Sequence, residues 1–109
     1  NIIGGPTAGT TYTITLNAGQ LYIAQTNGDF TGTYIKATNI EDCNTKFAVF
    51  AGNDCAYVPT SCAACDHLFE QMIPTSAWGK EYLTSPLKNR NGDQFRILAK
   101  DSGTIININ

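Results

Sequence analysis

The chain has 109 residues, of which 42% are hydrophobic and 15% are charged, and its formal net charge is −2. The charged fraction is low beside the roughly 25% of an average soluble domain, and no Lys/Arg cluster supplies the basic surface that phosphate binding needs, so no nucleic acid partner is expected. The length predicts one domain, residues 1–109, and no run approaches the roughly 20 apolar residues of a membrane span.

Alternating side chains in the first third of the chain predict β-strands. Tyr12, Ile14 and Leu16 alternate with threonines, so one face of this segment is apolar and the other carries hydroxyls. Two further segments with the same period, separated by turns rich in Asn and Gly, follow at residues 21–23 and 31–37.

The remainder of the chain predicts more strands around one irregular segment. Residues 46–52 are apolar on both sides, which indicates a central strand covered on two faces. Residues 53–67 predict an ordered loop, residues 67–73 fit a helix or a strand equally well, and Pro74 ends that element. Residues 75–79 predict a helical turn or a corner. Three more strands are expected, at residues 80–85, 93–100 and 104–108.

About eight short strands with this spacing predict an all-β fold, an antiparallel β-sandwich-like domain with a disulfide-stapled loop. Strands and helices do not alternate, which argues against a nucleotide-binding α/β fold. The chain opens on a Gly/Pro-rich stretch and stops on a predicted strand. We therefore expect a module excised or processed from a longer, repetitive chain.

The four cysteines are the most specific chemical feature of the sequence. Cys43, Cys55, Cys62 and Cys65 could form disulfides, hold a metal or do redox work. A zinc site built from Cys55, Cys62, Cys65 and His67 has irregular spacing and leaves Cys43 over. A thioredoxin-type motif needs a βαβ context that the chain lacks. Two disulfides are therefore favoured, which predicts an extracellular location. Four cysteines allow three pairings, and the residues alone do not choose among them.

The segment after Cys65 invites a catalytic interpretation. His67 lies between the carboxylates of Asp66 and Glu70, and Ser61 and Ser76 are candidate nucleophiles. Neither serine lies in a nucleophile motif. We favour structural roles, in which Asp66, His67 and Glu70 tie the disulfide loop to the sheet, and we predict no enzyme activity.

Two binding alternatives depend on residue types that also have ordinary structural uses. Calcium could be bound by the oxygen-bearing loops at Asn27-Gly28-Asp29, Asn53-Asp54, Asn91-Gly92-Asp93 and Asp101. Asn-Gly-Asp is, however, the usual residue choice of tight turns, and no cofactor is predicted. Aromatic side chains could form a sugar platform, with Trp78 and Tyr57 as the candidate ligand contacts. Trp78 precedes Gly79 at a corner, which favours anchoring of the core. The aromatic candidates are Tyr12, Tyr22, Tyr34, Tyr57, Trp78 and Tyr82.

Several segments along the chain carry one recognisable pattern. They are Gly19-Gln20-Leu21-Tyr22, Asp29-Phe30-Thr31-Gly32-Thr33, Phe47-Ala48-Val49-Phe50-Ala51-Gly52, Cys65-Asp66-His67-Leu68-Phe69-Glu70-Gln71, Pro74, Trp78-Gly79-Lys80-Glu81-Tyr82, Arg90, Gly92-Asp93-Gln94-Phe95-Arg96 and Asp101-Ser102-Gly103-Thr104. In these segments, most of the chain resembles the N-terminal domain family of IgGFc-binding proteins. Gln71, Trp78 and Gly79 belong, with Asp66, His67 and Glu70, to the family's most specific motif.

This resemblance implies an extracellular β-rich module, of the kind found in secreted mucus-type proteins of animals and in large adhesin-like surface proteins of bacteria. It brings no catalytic residue set. The simpler version of the family pattern has only the cysteines that match Cys55 and Cys65. The resemblance therefore implies a Cys55–Cys65 disulfide, with Cys43–Cys62 as the second pair.

The predicted function is a non-enzymatic extracellular structural or adhesion module, a building block of a cell-surface adhesin or filament. Its expected partners are other copies or neighbouring modules of the same protein, reached through strand edges such as residues 104–108. The alternative is a carbohydrate- or protein-binding module with its specificity in the loops, whose partners would be glycans or host surface proteins.

Overall fold

The computed structural model of the protein describes residues 2–38, 45–89 and 91–108. The chain divides into two compact units, Asn1–Lys36 and Ala37–Asn109. The described part of the chain contains no helix long and apolar enough to cross a membrane.

The first unit consists of segments without assigned helix or strand, joined by turns. One turn is closed by the Gln20 N–H, which donates to the Asn17 carbonyl at 3.0 Å, while the Asn17 N–H donates to the Gln20 side-chain oxygen at 2.8 Å. Gly19 has a φ of 78° in this turn. A side chain there would be strained, which explains a glycine at this position. The turn brings Tyr12 and Tyr22 together, with ring centroids 6.5 Å apart at an angle of 62°.

The second unit is organised around one antiparallel β-hairpin. Strand β1 is Phe50–Ala56 and strand β2 is Asp66–Gln71. Phe50 pairs with Gln71 at one end and Ala56 with Asp66 at the other. The register shifts between Asn53 and Ala56, so that β1 contains one more residue than β2 opposite it and bulges. The Met72 N–H donates to the Val49 carbonyl at 2.9 Å and extends the pairing by one step.

An aromatic contact across the hairpin explains why these two segments pair. Phe69 stands opposite Gly52, and its ring stacks on Phe50 with centroids 5.4 Å apart and an interplanar angle of 5°. A Cβ atom on Gly52 would lie 2.5 Å from the Leu68 carbonyl oxygen and 3.1 Å from the Phe69 Cδ2 atom. The missing side chain of Gly52 therefore lets the two strands and the Phe69 ring approach closely.

After β2, the chain forms the local structure that its sequence predicts. Pro74 precedes a 3₁₀ helix, Thr75–Ala77, and the Trp78 N–H donates to the Thr75 carbonyl at 3.4 Å. The predicted helical turn at residues 75–79 is confirmed. The segment that fitted a helix or a strand equally well is a strand, since β2 occupies Asp66–Gln71.

The described residues confirm the antiparallel pairing and the disulfide-stapled loop of the predicted all-β fold, but they do not form its eight-strand sandwich. They contain one two-stranded sheet, β1–β2, and the alternating segments that were expected to be strands have no ladder partner. Alternation sets which way side chains point, but a strand also needs a neighbour in register. The predicted strands that have no ladder partner are residues 11–16, 21–23, 31–37, 80–85, 93–100 and 104–108.

Two finer expectations for the cysteine region are also wrong. The predicted central strand at 46–52 begins only at Phe50, and the Phe50 side chain is 53% exposed instead of covered on two faces. The predicted loop at 53–67 is shorter, because β1 continues to Ala56 and β2 begins at Asp66.

No hydrophobic side chain among the described residues is fully buried, and Leu83 reaches 97% exposure. The apolar residues of the alternating segments therefore remain open to contact.

Candidate functional site

A disulfide closes the long loop of the hairpin. Cys55 and Cys65 are bonded, with their Cα atoms 5.1 Å apart and a sequence separation of 10. Cys55 lies in the bulge of β1, where its N–H donates to the Asn53 Oδ1 atom at 3.0 Å, and Cys65 immediately precedes β2. In the chain-entropy model, closing a loop of this length stabilises the folded hairpin by about 2.7 kcal/mol. The link therefore holds the two strands in register at the end where pairing is irregular.

This bond rules out the zinc alternative. Two of the four candidate ligands, Cys55 and Cys65, are oxidised and have no thiolate for a metal. Across the described residues, no group of three or more His, Cys, Asp and Glu side chains is placed to hold a metal ion.

Cys62 lies in the same loop. Within the described part of the chain it is bonded to no other cysteine, and its thiol approaches the Val58 carbonyl oxygen at 3.7 Å. Its partner in the predicted second disulfide, Cys43, lies outside the described residues. The Cys43–Cys62 pairing therefore stays a prediction.

A shallow cavity of about 390 Å³ lies beside the disulfide loop. Its lining is mostly aliphatic, from Leu68 and Val58 among others, and Asp66 contributes the one carboxylate. Specific recognition of a small molecule needs several convergent polar groups in addition to an apolar wall. The complete lining is Ala56, Val58, Cys62, Ala63, Ala64, Asp66 and Leu68.

The hairpin separates the residues of the candidate catalytic cluster. Successive side chains of a strand point to opposite faces, so Asp66 and Glu70 share one face of β2 while His67 lies on the other. The His67 ring stacks on Phe69 with centroids 6.2 Å apart at 18°, beside the Phe50–Phe69 pair. His67 thus takes part in an aromatic face of three rings, Phe50, Phe69 and His67, and is not flanked by the two carboxylates.

The other motif residues are placed around the hairpin and the 3₁₀ helix. Gln71 ends β2 opposite Phe50. Trp78 is half-buried, and its indole Nε1–H donates to the Ile73 carbonyl at 3.1 Å. This bond links the corner to the chain just after β2, and the predicted anchoring of the core by Trp78 stays a prediction. The Gly79 N–H donates to the Tyr82 hydroxyl at 2.8 Å.

The two candidate ligand contacts have different surroundings. Tyr57 is 49% exposed and lies in the disulfide loop directly after β1. Trp78 follows the 3₁₀ helix, where its indole N–H is already bonded to the backbone. Of the two side chains, Tyr57 is therefore the more available for contact with a partner.

A tyrosine pair in the first unit was not predicted as a pair. The hydroxyls of Tyr12 and Tyr22 lie 3.5 Å apart, and the hydrogen bond between them raises the pKa of Tyr12 above its usual value. No clear signal for this pair is present in the sequence, because Tyr12 lies five residues before the turn at residues 17–20 and Tyr22 two residues after it.

Comparison with known proteins supports the family resemblance that the sequence motif indicates. A family model described as IgGFc binding protein matches residues 1–109. The human IgGFc-binding protein is 28% identical over 102 residues, which cover 94% of this chain and 2% of that relative. No solved structure matches the chain. The resemblance predicted from the cysteine segment and the Trp-Gly corner is confirmed, and the chain belongs to the IgGFc-binding protein family.

Proposed function

We propose that this chain is a non-enzymatic structural or adhesion module of an extracellular protein, and that it contacts other copies or neighbouring modules through strand edges. The observation that carries the proposal is the disulfide-closed hairpin with unpaired outer edges. Family membership supports an extracellular, mucus-type setting, and a disulfide is stable in such an oxidising compartment.

The hairpin is suited to strand addition. A two-stranded hairpin is at best marginally stable in water, and here the Cys55–Cys65 bond holds the strands together. The outer edges of β1 and β2 face no further strand within the described residues. An unpaired edge presents N–H and C=O groups to an incoming strand. A partner strand would satisfy these groups and extend the aromatic face of Phe50, Phe69 and His67 with its own side chains.

The segment at residues 104–108 is the proposed incoming strand. It has no ladder partner in the described chain, and the side chains of Ile105 and Ile108 are 86% and 83% exposed. Isoleucine has high β propensity, and its burial at an interface is favourable. We therefore propose that residues 104–108 of one module add to the edge of β1 or β2 of another.

The non-catalytic part of the proposal rests on the hairpin geometry. A general base needs its partners within hydrogen-bond distance, whereas His67 lies on the face opposite Asp66 and Glu70. Ser61 lies in the disulfide loop and Ser76 in the 3₁₀ helix, and neither follows a nucleophile motif. Hydrolase screening of the wild type against His67→Ala tests this part, and a His67-dependent activity would overturn it.

The assembly test compares two matched surface substitutions. Ile105→Lys introduces a charge into the proposed incoming strand, while Leu83→Lys makes the same change at another highly exposed apolar residue, 97% against 86% for Ile105. Sedimentation velocity over a range of protein concentrations should show reduced assembly for Ile105→Lys and wild-type assembly for Leu83→Lys. Wild-type assembly by Ile105→Lys, or by a chain that ends at Gly103, would remove residues 104–108 from the proposal.

The second candidate function is a carbohydrate- or protein-binding module with specificity in its loops. It is supported by the exposed Tyr57 ring in the disulfide loop and by the name of the human relative, IgGFc-binding protein. A glycan array and an immunoglobulin Fc binding assay, each with wild type, Tyr57→Ala and Trp78→Ala, test it. A signal lost in Tyr57→Ala would favour this function over that of a passive building block.

A further inference from the structure

The chain contains the same tripeptide twice, in two different structural settings. Asn27-Gly28-Asp29 lies in the first unit and Asn91-Gly92-Asp93 in the second. Asparagine followed by glycine is chemically labile, because a glycine leaves its own backbone nitrogen unhindered for attack on the preceding amide side chain. Both asparagines and both glycines are exposed to solvent. Any difference in reactivity between the two sites must therefore come from the local structure or from the flanking residues.

The first tripeptide is held by hydrogen bonds. The Gly28 N–H donates to the Thr26 Oγ1 atom at 3.0 Å. The Asp29 Oδ1 atom accepts from the Thr31 N–H at 2.8 Å and from the Thr31 hydroxyl at 2.6 Å. The nitrogen that would attack Asn27 is thus engaged, and the carboxylate beside it is fixed.

The second tripeptide leaves the corresponding nitrogen open. Among the described residues, the Gly92 N–H has no hydrogen-bond acceptor. A Cβ atom on Gly92 would meet nothing within 4 Å, whereas one on Gly28 would lie 3.5 Å from the Thr26 Oγ1 atom. Only the aspartate is fixed, since the Asp93 Oδ2 atom accepts from the Leu87 N–H at 3.0 Å.

We propose that Asn91 is a site of spontaneous deamidation in the folded protein and that the structure protects Asn27 from the same reaction. The Gly92 nitrogen loses its proton and attacks the Asn91 Cγ atom. The N–Cγ bond forms and the Cγ–Nδ2 bond breaks, so that ammonia leaves and a succinimide remains. Water then opens the ring at either carbonyl and yields aspartate or isoaspartate. The only co-reactant is water, and no oxidant or reductant takes part.

The modification alters the surface of the second unit. It adds one negative charge, which changes the formal net charge from −2 to −3. An isoaspartate also lengthens the main chain within the loop that the Leu87–Asp93 hydrogen bond closes. Older copies of the module should therefore carry a permanently changed charge and loop geometry at this site.

The test follows both asparagines in one sample of the intact, oxidised protein. After incubation in neutral buffer, peptide mapping by mass spectrometry should show Asn91 converting faster than Asn27, by about fivefold if the hydrogen bond to Gly28 contributes as such bonds usually do. Thr26→Val removes the acceptor and should raise the rate at Asn27 toward that at Asn91. Thr26→Ser retains the hydroxyl and should leave the rate unchanged.

A second comparison separates structure from flanking sequence. In the reduced, urea-unfolded chain the two rates should converge, because the Thr26 hydrogen bond is lost. Equal rates in the folded protein, faster conversion of Asn27, or a difference that persists unchanged in urea would each overturn the proposal.

Discussion

Replacing Gly52 with alanine tests whether the close approach across the hairpin holds the two strands together. The new Cβ atom would lie 2.5 Å from the Leu68 carbonyl oxygen and 3.1 Å from the Phe69 Cδ2 atom. The backbone oxygen cannot rotate away, so the strands must separate or the Phe69 ring must move off Phe50. Overpacking of this kind costs about 1–3 kcal/mol, while alanine regains roughly 0.5–1 kcal/mol because glycine is more flexible in the unfolded chain. We expect a net loss of about 1–2 kcal/mol in hairpin stability.

Hydrogen exchange of the Met72 amide measures this loss directly, because that N–H donates to the Val49 carbonyl at the end of the hairpin. Gly52→Ala should accelerate its exchange by about 5–30-fold. Gly79→Ala is the matched control, since its Cβ atom would meet its nearest neighbours at 3.5 Å, an ordinary contact distance. If Met72 is equally protected in the two variants, the contact between Gly52 and β2 does not control the hairpin.

Three other substitutions test the remaining interactions. Replacing both Cys55 and Cys65 with serine should accelerate exchange of the hairpin amides about a hundredfold, the equivalent of the chain-entropy contribution of the disulfide, and unchanged exchange would contradict a stabilising role. Tyr22→Phe should lower the pKa of Tyr12 toward its usual value in an NMR titration. In the wild type, the stabilisation from this pair should be complete below the usual tyrosine pKa and be lost as the pH rises through the raised pKa of Tyr12. Trp78→Phe removes the indole hydrogen bond and should cost about 1 kcal/mol in thermal unfolding, whereas an unchanged melting temperature would show that the bond does not anchor the corner.

Local chemistry explains which parts of the fold the sequence could predict. The turn at residues 17–20 and the 3₁₀ helix at Thr75–Ala77 depend on neighbouring residues, so Asn, Gly and Pro signals were sufficient. The sequence did not predict that β2 is a strand, because the spacing of its apolar residues fits both the helical and the strand period. Pairing with β1 selects the strand, through Gly52 and the stacked ring of Phe50. The alternation in residues 93–100 and 104–108 carries no information about a neighbouring strand.

The sequence by itself determined the family, the oxidised cysteine pair expected from it and the turn at residues 17–20, since each of these is carried by residues close together along the chain. The tertiary structure alone decided the register of β1 on β2, the bulge at Cys55 and the separation of His67 from Asp66 and Glu70 onto opposite faces. The reason is physical: a shift of one residue in strand pairing moves every side chain to the other face, and only contacts between distant residues select the register.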